Sequence, residues 1–239
     1  MKLSTRPRFW LPPRSAFAGF RFPAEVIVVA VRWYLRYGLS YRDVEELVAE
    51  RGVQVDHVTV FRWVQRFMPL LADAARFHRH APADRWYVDE AYVKVNGIWR
   101  YVYRAVDQHG QVIDVLVSAR RDAKAAGRFF SRALATLKVR PSEVVTDAAP
   151  VYRGGGRGAD PFGLAPRRAV RQQSDRSRSQ STKHQLRPMR GLRTDRTARV
   201  IIAGHAFMQN LRRGQYELGL DMPPALRVAA AFIEFAHAI

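Results

Sequence analysis

The segment RWYVDEAYVKVNGIWRYVYRAVDQHGQVIDVLVS, residues 85–118, alternates apolar and polar side chains with a period of two. That period is typical of half-buried β-strands. Asn96-Gly97 is a strong signal for a tight hairpin turn, and residues 108–110 form a second turn signal. The segment therefore predicts a three-stranded antiparallel meander, with strands over residues 86–95, 98–106 and 112–117.

Two further elements follow the meander. Residues 122–138 carry apolar side chains at helical spacing and predict an amphipathic helix. Residues 142–147, SEVVTD, predict a short buried strand that ends on Asp147. In a parallel pairing this fourth strand would lie beside the first. The predicted fold class is therefore α/β, with a mixed sheet and flanking helices.

Three short helices are predicted ahead of the meander. The first covers residues 24–37 and is stopped by Gly38. Ser40 caps the second helix, with Asp43 in the capping-box position, and Gly52 ends it. Asp56 caps a third helix, which should end before Pro69. Three helices with a short turn before the last one are typical of a helix-turn-helix DNA-binding unit.

The third helix would enter the major groove, with its N-terminal residues leading. Its polar residues that could contact bases or phosphates are His57, Thr59, Arg62 and Gln65. The apolar residues expected to pack inward are Val60, Trp63, Val64 and Phe67. A plain three-helix bundle with a solvated polar face is the alternative interpretation.

The charge balance favours a polyanionic partner. Forty Lys and Arg against 21 Asp and Glu give a formal net charge of +19, which most simply indicates nucleic acid. An arginine-rich composition without a nucleic-acid partner is the alternative. The chain has no cysteine, which excludes disulfides and thiolate metal sites. It also lacks an apolar run of about 18 residues. We therefore expect a cytoplasmic, nucleoid-associated protein with no membrane partner.

Two aspartates lie at positions where a carboxylate is expected to bind a cation or to form a hydrogen bond. Asp89 lies within the first predicted strand, where a carboxylate is costly unless it is paired or bound to a metal. Asp147 ends the fourth strand, which is predicted to lie beside the first. Carboxylates from neighbouring strands suit Mg²⁺, which prefers oxygen ligands. Alternatively, Asp89 pairs with a nearby arginine and Asp147 caps the helix that follows it.

Four motifs occur in order along the chain: VRWYLRYGLSYRDVEELVAERGVQVDHVTVFRWVQRF, WYVDEAYVKVNGIWRYVYRAVD, VVTDAAPVY and LRPMRGLRTDRTARVIIAGHAFMQNLRRG. Together they closely resemble the DDE transposases of bacterial insertion sequences, specifically the family numbered six. The resemblance implies a helix-turn-helix followed by a ribonuclease-H-like catalytic domain. It also implies metal-dependent DNA cleavage and strand transfer at terminal inverted repeats.

The resemblance assigns roles to several residues. Asp89 and Asp147 match the first two catalytic acids and would bind two Mg²⁺ or Mn²⁺ ions. Lys183 and Arg187 would contact DNA. The implied partners are double-stranded DNA, both terminal inverted repeats and target DNA, and further copies of the chain in a homo-oligomer.

The third acid of the family is missing. A glutamate is expected seven residues before Lys183, where this chain has Arg176. Residues 153–182 have no helical or strand period. Permitted codons can be chosen for these residues so that the same nucleotides, read one nucleotide later, encode the missing motif as NPIEADH. We therefore predict two compensating indels around this segment and a largely inactive enzyme. A disordered Arg/Gly/Ser insertion that binds DNA is the alternative.

The C-terminal part predicts a helix over residues 194–213, ended by Gly214, and one more helix near the end. His205 is expected to be packed rather than to bind a metal. The last helix could serve self-association. The predicted organisation is a flexible basic arm (1–22), a helix-turn-helix domain (23–70), a linker (71–84), a catalytic domain (85–220) whose segment 153–182 is disordered, and a C-terminal helix (221–239).

Overall fold

The computed structural model describes residues 15–137, 140–146 and 192–239. Its helices are α1 (Ala24–Tyr37), α2 (Tyr41–Ala49), α3 (His57–Ala75), α4 (Ala123–Leu137), α5 (Asp195–Arg212) and α6 (Arg227–Ala238), with a 3₁₀ turn over Arg76–His78. Its strands are β1 (Arg85–Val95), β2 (Ile98–Asp107), β3 (Val112–Ser118) and β4 (Glu143–Thr146). The predictions for Asp147, Arg176, Lys183, Arg187 and residues 153–182 lie outside the described residues.

The four strands form one mixed sheet in the order β3-β2-β1-β4. The β1–β2 hairpin turns at Asn96 and Gly97, whose φ angles of 49° and 78° match a primed turn. Strand β4 pairs with β1 in parallel. The predicted meander, the parallel pairing and the α/β class are thus confirmed. β4 is half-buried rather than buried, as expected for a strand at the end of the described sheet.

Alternate residues along the strands divide the sheet into two faces. One face packs Trp86, Val88 and Tyr103 against Phe129 and Phe130 of α4. The other face packs Val93, Val95, Val102 and Val117 into a second core that includes residues of α5. The Asn210 side chain fixes α5 to β3, because it accepts from Val112 N at 2.7 Å and donates to Val112 O at 2.8 Å. The sheet therefore lies between α4 and α5.

The predicted starts of the N-terminal helices and the predicted end of the first one are confirmed. Gly38 ends α1 with a φ of 65°, and Ser40 and Asp43 form the predicted capping box at the start of α2. Asp56 Oδ1 accepts from Val58 N at 2.9 Å and from Thr59 N at 3.0 Å, so it caps α3 as expected. The inward-facing residues of α3 are all buried as predicted, namely Val60, Trp63, Val64 and Phe67.

The predicted end of the third helix is wrong. Helix α3 continues through Pro69 to Ala75. A proline removes one backbone hydrogen bond from a helix, but Phe67, Leu71 and Ala75 continue the buried stripe at intervals of four residues. Tertiary packing of this stripe outweighs the local penalty. Residues 71–75 of the predicted linker are therefore helical.

The expectation of a flexible N-terminal arm is wrong for the described residues 15–22. The ring of Phe17 stacks on that of Phe67 with centroids 4.7 Å apart, and Phe20 meets the same ring edge-on at 5.0 Å. Only 7% of Phe17 is exposed. Aromatic burial therefore holds this short segment against α3. The domain boundaries themselves remain a prediction.

The two C-terminal helices complete the core shared with α1 and α3. Thr194 caps α5, which begins at Asp195. Gly214 follows the end of α5 with a φ of 70°, as predicted. Phe207 of α5 contacts Phe232 and Phe235 of α6. Helix α6 therefore packs within its own chain, and self-association remains a prediction. Among the described residues, no helix combines the length and the apolar character that a membrane span requires.

Candidate active site

Asp89 lies on β1, one of the two central strands, with its side chain on the α5 face of the sheet. About a third of that side chain, 32%, is exposed. Arg104 lies opposite Asp89 on β2. Its Nε donates to Asp89 Oδ1 at 3.1 Å, and its Nη2 donates to Oδ2 at 2.7 Å. This is the bidentate geometry that makes arginine–carboxylate pairs strong.

The pairing with arginine that the sequence left open as an alternative is thus present in the fold. Arg104 is nearly buried, with 9% of its side chain exposed. A guanidinium keeps its charge throughout the physiological pH range. Any divalent cation that binds Asp89 must therefore share the carboxylate with Arg104 or displace it.

The parallel pairing of β1 with β4 fixes which described residues of the two strands lie opposite each other. Its register runs from Arg85 opposite Glu143 to Val88 opposite Thr146. The next residues in the sequence are Asp89 after Val88 and Asp147 after Thr146. Asp147 itself is outside the described residues.

Asp89 suits a hard cation as one ligand of a set. Its carboxylate supplies the oxygen atoms that Mg²⁺ prefers, and its exposed fraction leaves a route from solvent. A small cavity of about 20 Å³ lies beside it, lined in part by Arg104, His205 and Gln209. That volume holds a water molecule or an ion but no organic group. Within residues 15–137, 140–146 and 192–239, no three His, Cys, Asp or Glu side chains form a metal cluster.

Glu90 follows Asp89 directly but lies on the opposite face of the sheet. Its side chain is 2% exposed, and its Oε2 accepts from Arg121 Nε at 2.5 Å. Burial, and then the negative charge of Glu90, raise the pKa of the nearby Tyr103 to about 12. Because successive strand residues point to opposite faces, Glu90 cannot join Asp89 in one ligand set.

The four predicted DNA contacts on α3 have different surroundings. His57 Nδ1 lies 3.0 Å from Glu45 Oε2. The Thr59 hydroxyl donates to Asp56 Oδ2 at 2.7 Å, and this bond is the main cause of a lowered pKa at Asp56. Gln65 is half-buried, whereas Arg62 is exposed. Of the four, Arg62 is the side chain that the fold leaves most accessible.

His205 of α5 is buried, as predicted. Only 5% of the residue is exposed. Burial lowers its pKa to about 4, so the imidazole is neutral near pH 7. It lies beside the Asp89 cavity on the α5 side.

The class of domain is that of the DDE proteins, because the family model DDE_Tnp_IS240, which describes a DDE domain, matches residues 83–215. This stretch includes all four described strands together with α4 and α5. Since the match covers more than half of the chain, the chain belongs to the DDE_Tnp_IS240 family. The predicted relationship to DDE transposases of insertion sequences is confirmed.

Two relatives from Staphylococcus aureus illustrate the relationship. The transposase for the insertion sequence-like element IS431mec of strain Mu50 is 42% identical over 130 residues. The transposase for the insertion sequence element IS257 in transposon Tn4003 is also 42% identical over 130 residues. Each alignment covers 54% of this chain and 58% of the relative. The chain thus spans little more than half the length of these curated relatives.

Two solved structures resemble the chain weakly. A simian T-cell lymphotropic virus intasome in complex with PP2A regulatory subunit B56 gamma has a TM-score of 0.40 at 17% identity, covering 72% of this chain and 64% of that chain. The trimeric HTLV-2 integrase catalytic core domain in complex with magnesium has a TM-score of 0.30 at 15% identity. The match covers 64% of this chain and 86% of that chain. These scores are too low to support an inference about this chain.

Proposed function

We propose that this chain descends from a transposase that cleaves and joins DNA strands at the terminal inverted repeats of an insertion sequence, and that this copy has lost most of that activity. The observation that carries the proposal is the position of Asp89. It lies on β1 directly after Val88, which pairs with Thr146, and Asp147 follows Thr146 in the sequence. Because the chain belongs to a DDE family, we interpret Asp89 and Asp147 as two of its catalytic carboxylates.

Asp89 and Asp147 are the proposed metal ligands in this chain. Divalent ions held between carboxylates can activate an attacking oxygen and stabilise a leaving oxygen in phosphoryl transfer. The part played by Arg104 is to orient the Asp89 carboxylate before a metal arrives, since its two hydrogen bonds to the two oxygens restrict rotation of the carboxylate plane. The proposed ions are Mg²⁺ or Mn²⁺, two of them in an intact enzyme.

The proposed impairment follows from the sequence at position 176. An arginine stands where the family pattern requires a glutamate, so one oxygen ligand is lost and a cation is introduced. We attribute the change to a shift of reading frame across residues 153–182. DNA recognition would survive the shift, because α1, α2 and α3 precede it in the chain.

A strand-transfer assay on duplexes that carry the inverted repeats flanking the gene, with Mg²⁺ or Mn²⁺, tests the proposal. We compare this chain with a repaired version, in which residues 153–182 are replaced by the other reading frame. The expected result is joining by the repaired protein, loss of joining when Asp89→Asn is added to it, and little or no joining by the present chain. Efficient joining by the present chain would contradict the impairment. A repaired protein that neither binds nor joins DNA would contradict the transposase assignment.

A second function is favoured by the intact N-terminal helices. The capped helix α3 and its exposed Arg62 are present in this chain. The chain would then act as a non-catalytic DNA-binding protein that occupies the ends of related elements. Binding to those ends by the present chain, without cleavage in the presence of metal, supports this second function.

A further inference from the structure

A basic cleft lies between the C-terminal ends of α1 and α5. Its volume is about 250 Å³. Leu35 and Met208, both buried, line its apolar part, while Arg36, Arg212 and Arg213 line its charged part. The two helices approach closely because Gly204 lies against Leu35, where an added Cβ would be 2.8 Å from Leu35 Cδ2. The packing of α1 on α5 thus fixes the positions of the three arginines.

Among the described residues of its lining, the cleft offers no acidic partner to Arg36 and Arg212. None of the described residues that line it is an aspartate or a glutamate. Arg36 and Arg212 take part in none of the ion pairs within the described part of the chain. Burial, and then the charge of Arg36, lower the pKa of Arg212. The repulsion between two like charges that the fold holds near each other decreases when an anion binds between them.

The helix ends account for part of this arrangement. Arg36 and Arg212 each lie in the last turn of a helix, where a cation complements the helix dipole. That effect explains why each position favours a basic residue. It does not explain why two such ends converge on one open cleft whose described lining includes no acid.

The chemistry of the lining selects a phosphate group. Guanidinium groups donate in pairs to phosphate oxygens, and Gln209 adds an uncharged amide at the same place. His205 and Gln209 line both this cleft and the small cavity beside Asp89. An anion in the cleft therefore lies next to the face of the sheet that carries the proposed catalytic carboxylate.

We infer that this cleft binds a backbone phosphate of double-stranded DNA and holds the duplex between the helix-turn-helix elements and the DDE domain. The inference rests on the proposed function, since it requires DNA to be the ligand of this chain. The contact is independent of base sequence, because the cleft presents donors suited to phosphate oxygens. Arg36 comes from α1 and Arg212 from α5, so the site exists only while these helices are packed together.

The test uses the full chain and the salt dependence of its binding to a random-sequence DNA duplex, measured by fluorescence anisotropy. The variant R36Q/R212Q removes two charges from the cleft. The control R128Q/R140Q removes two exposed charges elsewhere, at α4 and just beyond it. Arg213 is left intact because its Nη1 donates to the Gly110 carbonyl. Thermal melting of every variant checks the fold.

The slope of log affinity against log salt is negative, and for R36Q/R212Q we expect its magnitude to be smaller by about 0.9, which corresponds to one lost phosphate contact. The control keeps the slope of the original chain. A further variant, R36K/R212K, keeps the charge and should restore the slope, which separates lost charge from damaged structure.

Equal slopes for R36Q/R212Q and R128Q/R140Q would overturn the inference while leaving the proposed function intact. Failure of the original chain to bind any duplex would overturn both. Inorganic phosphate serves as a second probe of the cleft. If it raises the melting temperature of the original chain but not of R36Q/R212Q, and DNA binding is the same for both, the cleft binds free phosphate and the assignment to DNA is wrong.

Discussion

Asp89 and Arg104 face each other across β1 and β2, and the guanidinium donates to both oxygens of the carboxylate. The arginine is nearly buried and the aspartate is a third exposed. A nearly buried cation depends on its partner more than an exposed carboxylate does, because it cannot recover its hydration. The pair therefore both stabilises the sheet and sets the orientation of Asp89.

The first prediction concerns the strength of this pair. In a double-mutant cycle of Asp89→Asn and Arg104→Met, we expect each single variant to lose about 1–3 kcal/mol of the free energy of unfolding. The coupling energy should exceed about 1 kcal/mol. The matched control is the pair Asp114–Arg132, whose arginine is much more exposed than Arg104, and its coupling should stay below about 1 kcal/mol. Urea unfolding measures both, and equal couplings would contradict the prediction.

The second prediction tests the close approach of α5 to the N-terminal helices. Gly204→Ala places a Cβ 2.8 Å from Leu35 Cδ2 and 3.2 Å from Met68 Cγ, and both side chains are buried. We expect a loss of about 1–3 kcal/mol from overpacking. Gly127→Ala on α4 is the control, since nothing lies within 4 Å of its added Cβ. It should gain up to about 1 kcal/mol from helix propensity. A stabilising Gly204→Ala would show that the two helices separate easily.

The third prediction uses the buried His205. Its folded-state pKa is about 4, below its ordinary value of 6.5. The unfolded chain therefore binds more protons between these values, and stability that is complete above pH 6.5 falls as the pH decreases towards 4. The loss from this group between pH 7 and pH 5 should be about 2 kcal/mol.

His205→Gln should remove that contribution, because the amide does not titrate. His237→Gln, at an exposed position of α6, should leave the pH dependence unchanged. Urea unfolding of the three proteins at pH 7 and pH 5 provides the comparison. The same pH dependence in all three would exclude His205 as its source.

The fourth prediction concerns DNA recognition by α3. Arg62 is exposed, while Gln65 is half-buried. Arg62→Gln should weaken binding to a duplex carrying the element end by about 1–3 kcal/mol if the arginine reads a base. Gln65→Ala should have a smaller effect, and Arg128→Gln on α4 controls for the loss of one charge. If Gln65→Ala has the larger effect, the side chain of Gln65 must turn outward when DNA binds.

Much of the fold could be predicted from local sequence. The hairpin at Asn96-Gly97 fixed the register of β1 against β2, because a two-residue turn leaves one way to pair the flanking residues. Counting outward from that turn places residue 104 opposite Asp89. Arg104 could therefore have been predicted as the partner of Asp89, which is more specific than the nearby arginine expected above.

Other features required the packed structure. The continuation of α3 past Pro69 depends on Leu71 and Ala75 being buried, and no local rule reports that burial. The attachment of residues 15–22 depends on the ring of Phe67, which lies far from Phe17 in the sequence. In both cases contacts between distant segments outweighed what the local sequence favours, which is a helix end at Pro69 and a flexible N-terminal segment.

The sequence by itself determined the caps, the turns, the strand alternation and the order of the family motifs, because each depends on residues a few positions apart. The tertiary structure alone decided which charged groups from distant parts of the chain meet and which helix covers each face of the sheet. It set Asp89 and Arg104 on the face covered by α5, and it brought Arg36 and Arg212 to one cleft although 175 residues separate them in the chain. The reason is that electrostatic interactions depend on distance in space, which only the packing of helices and strands sets.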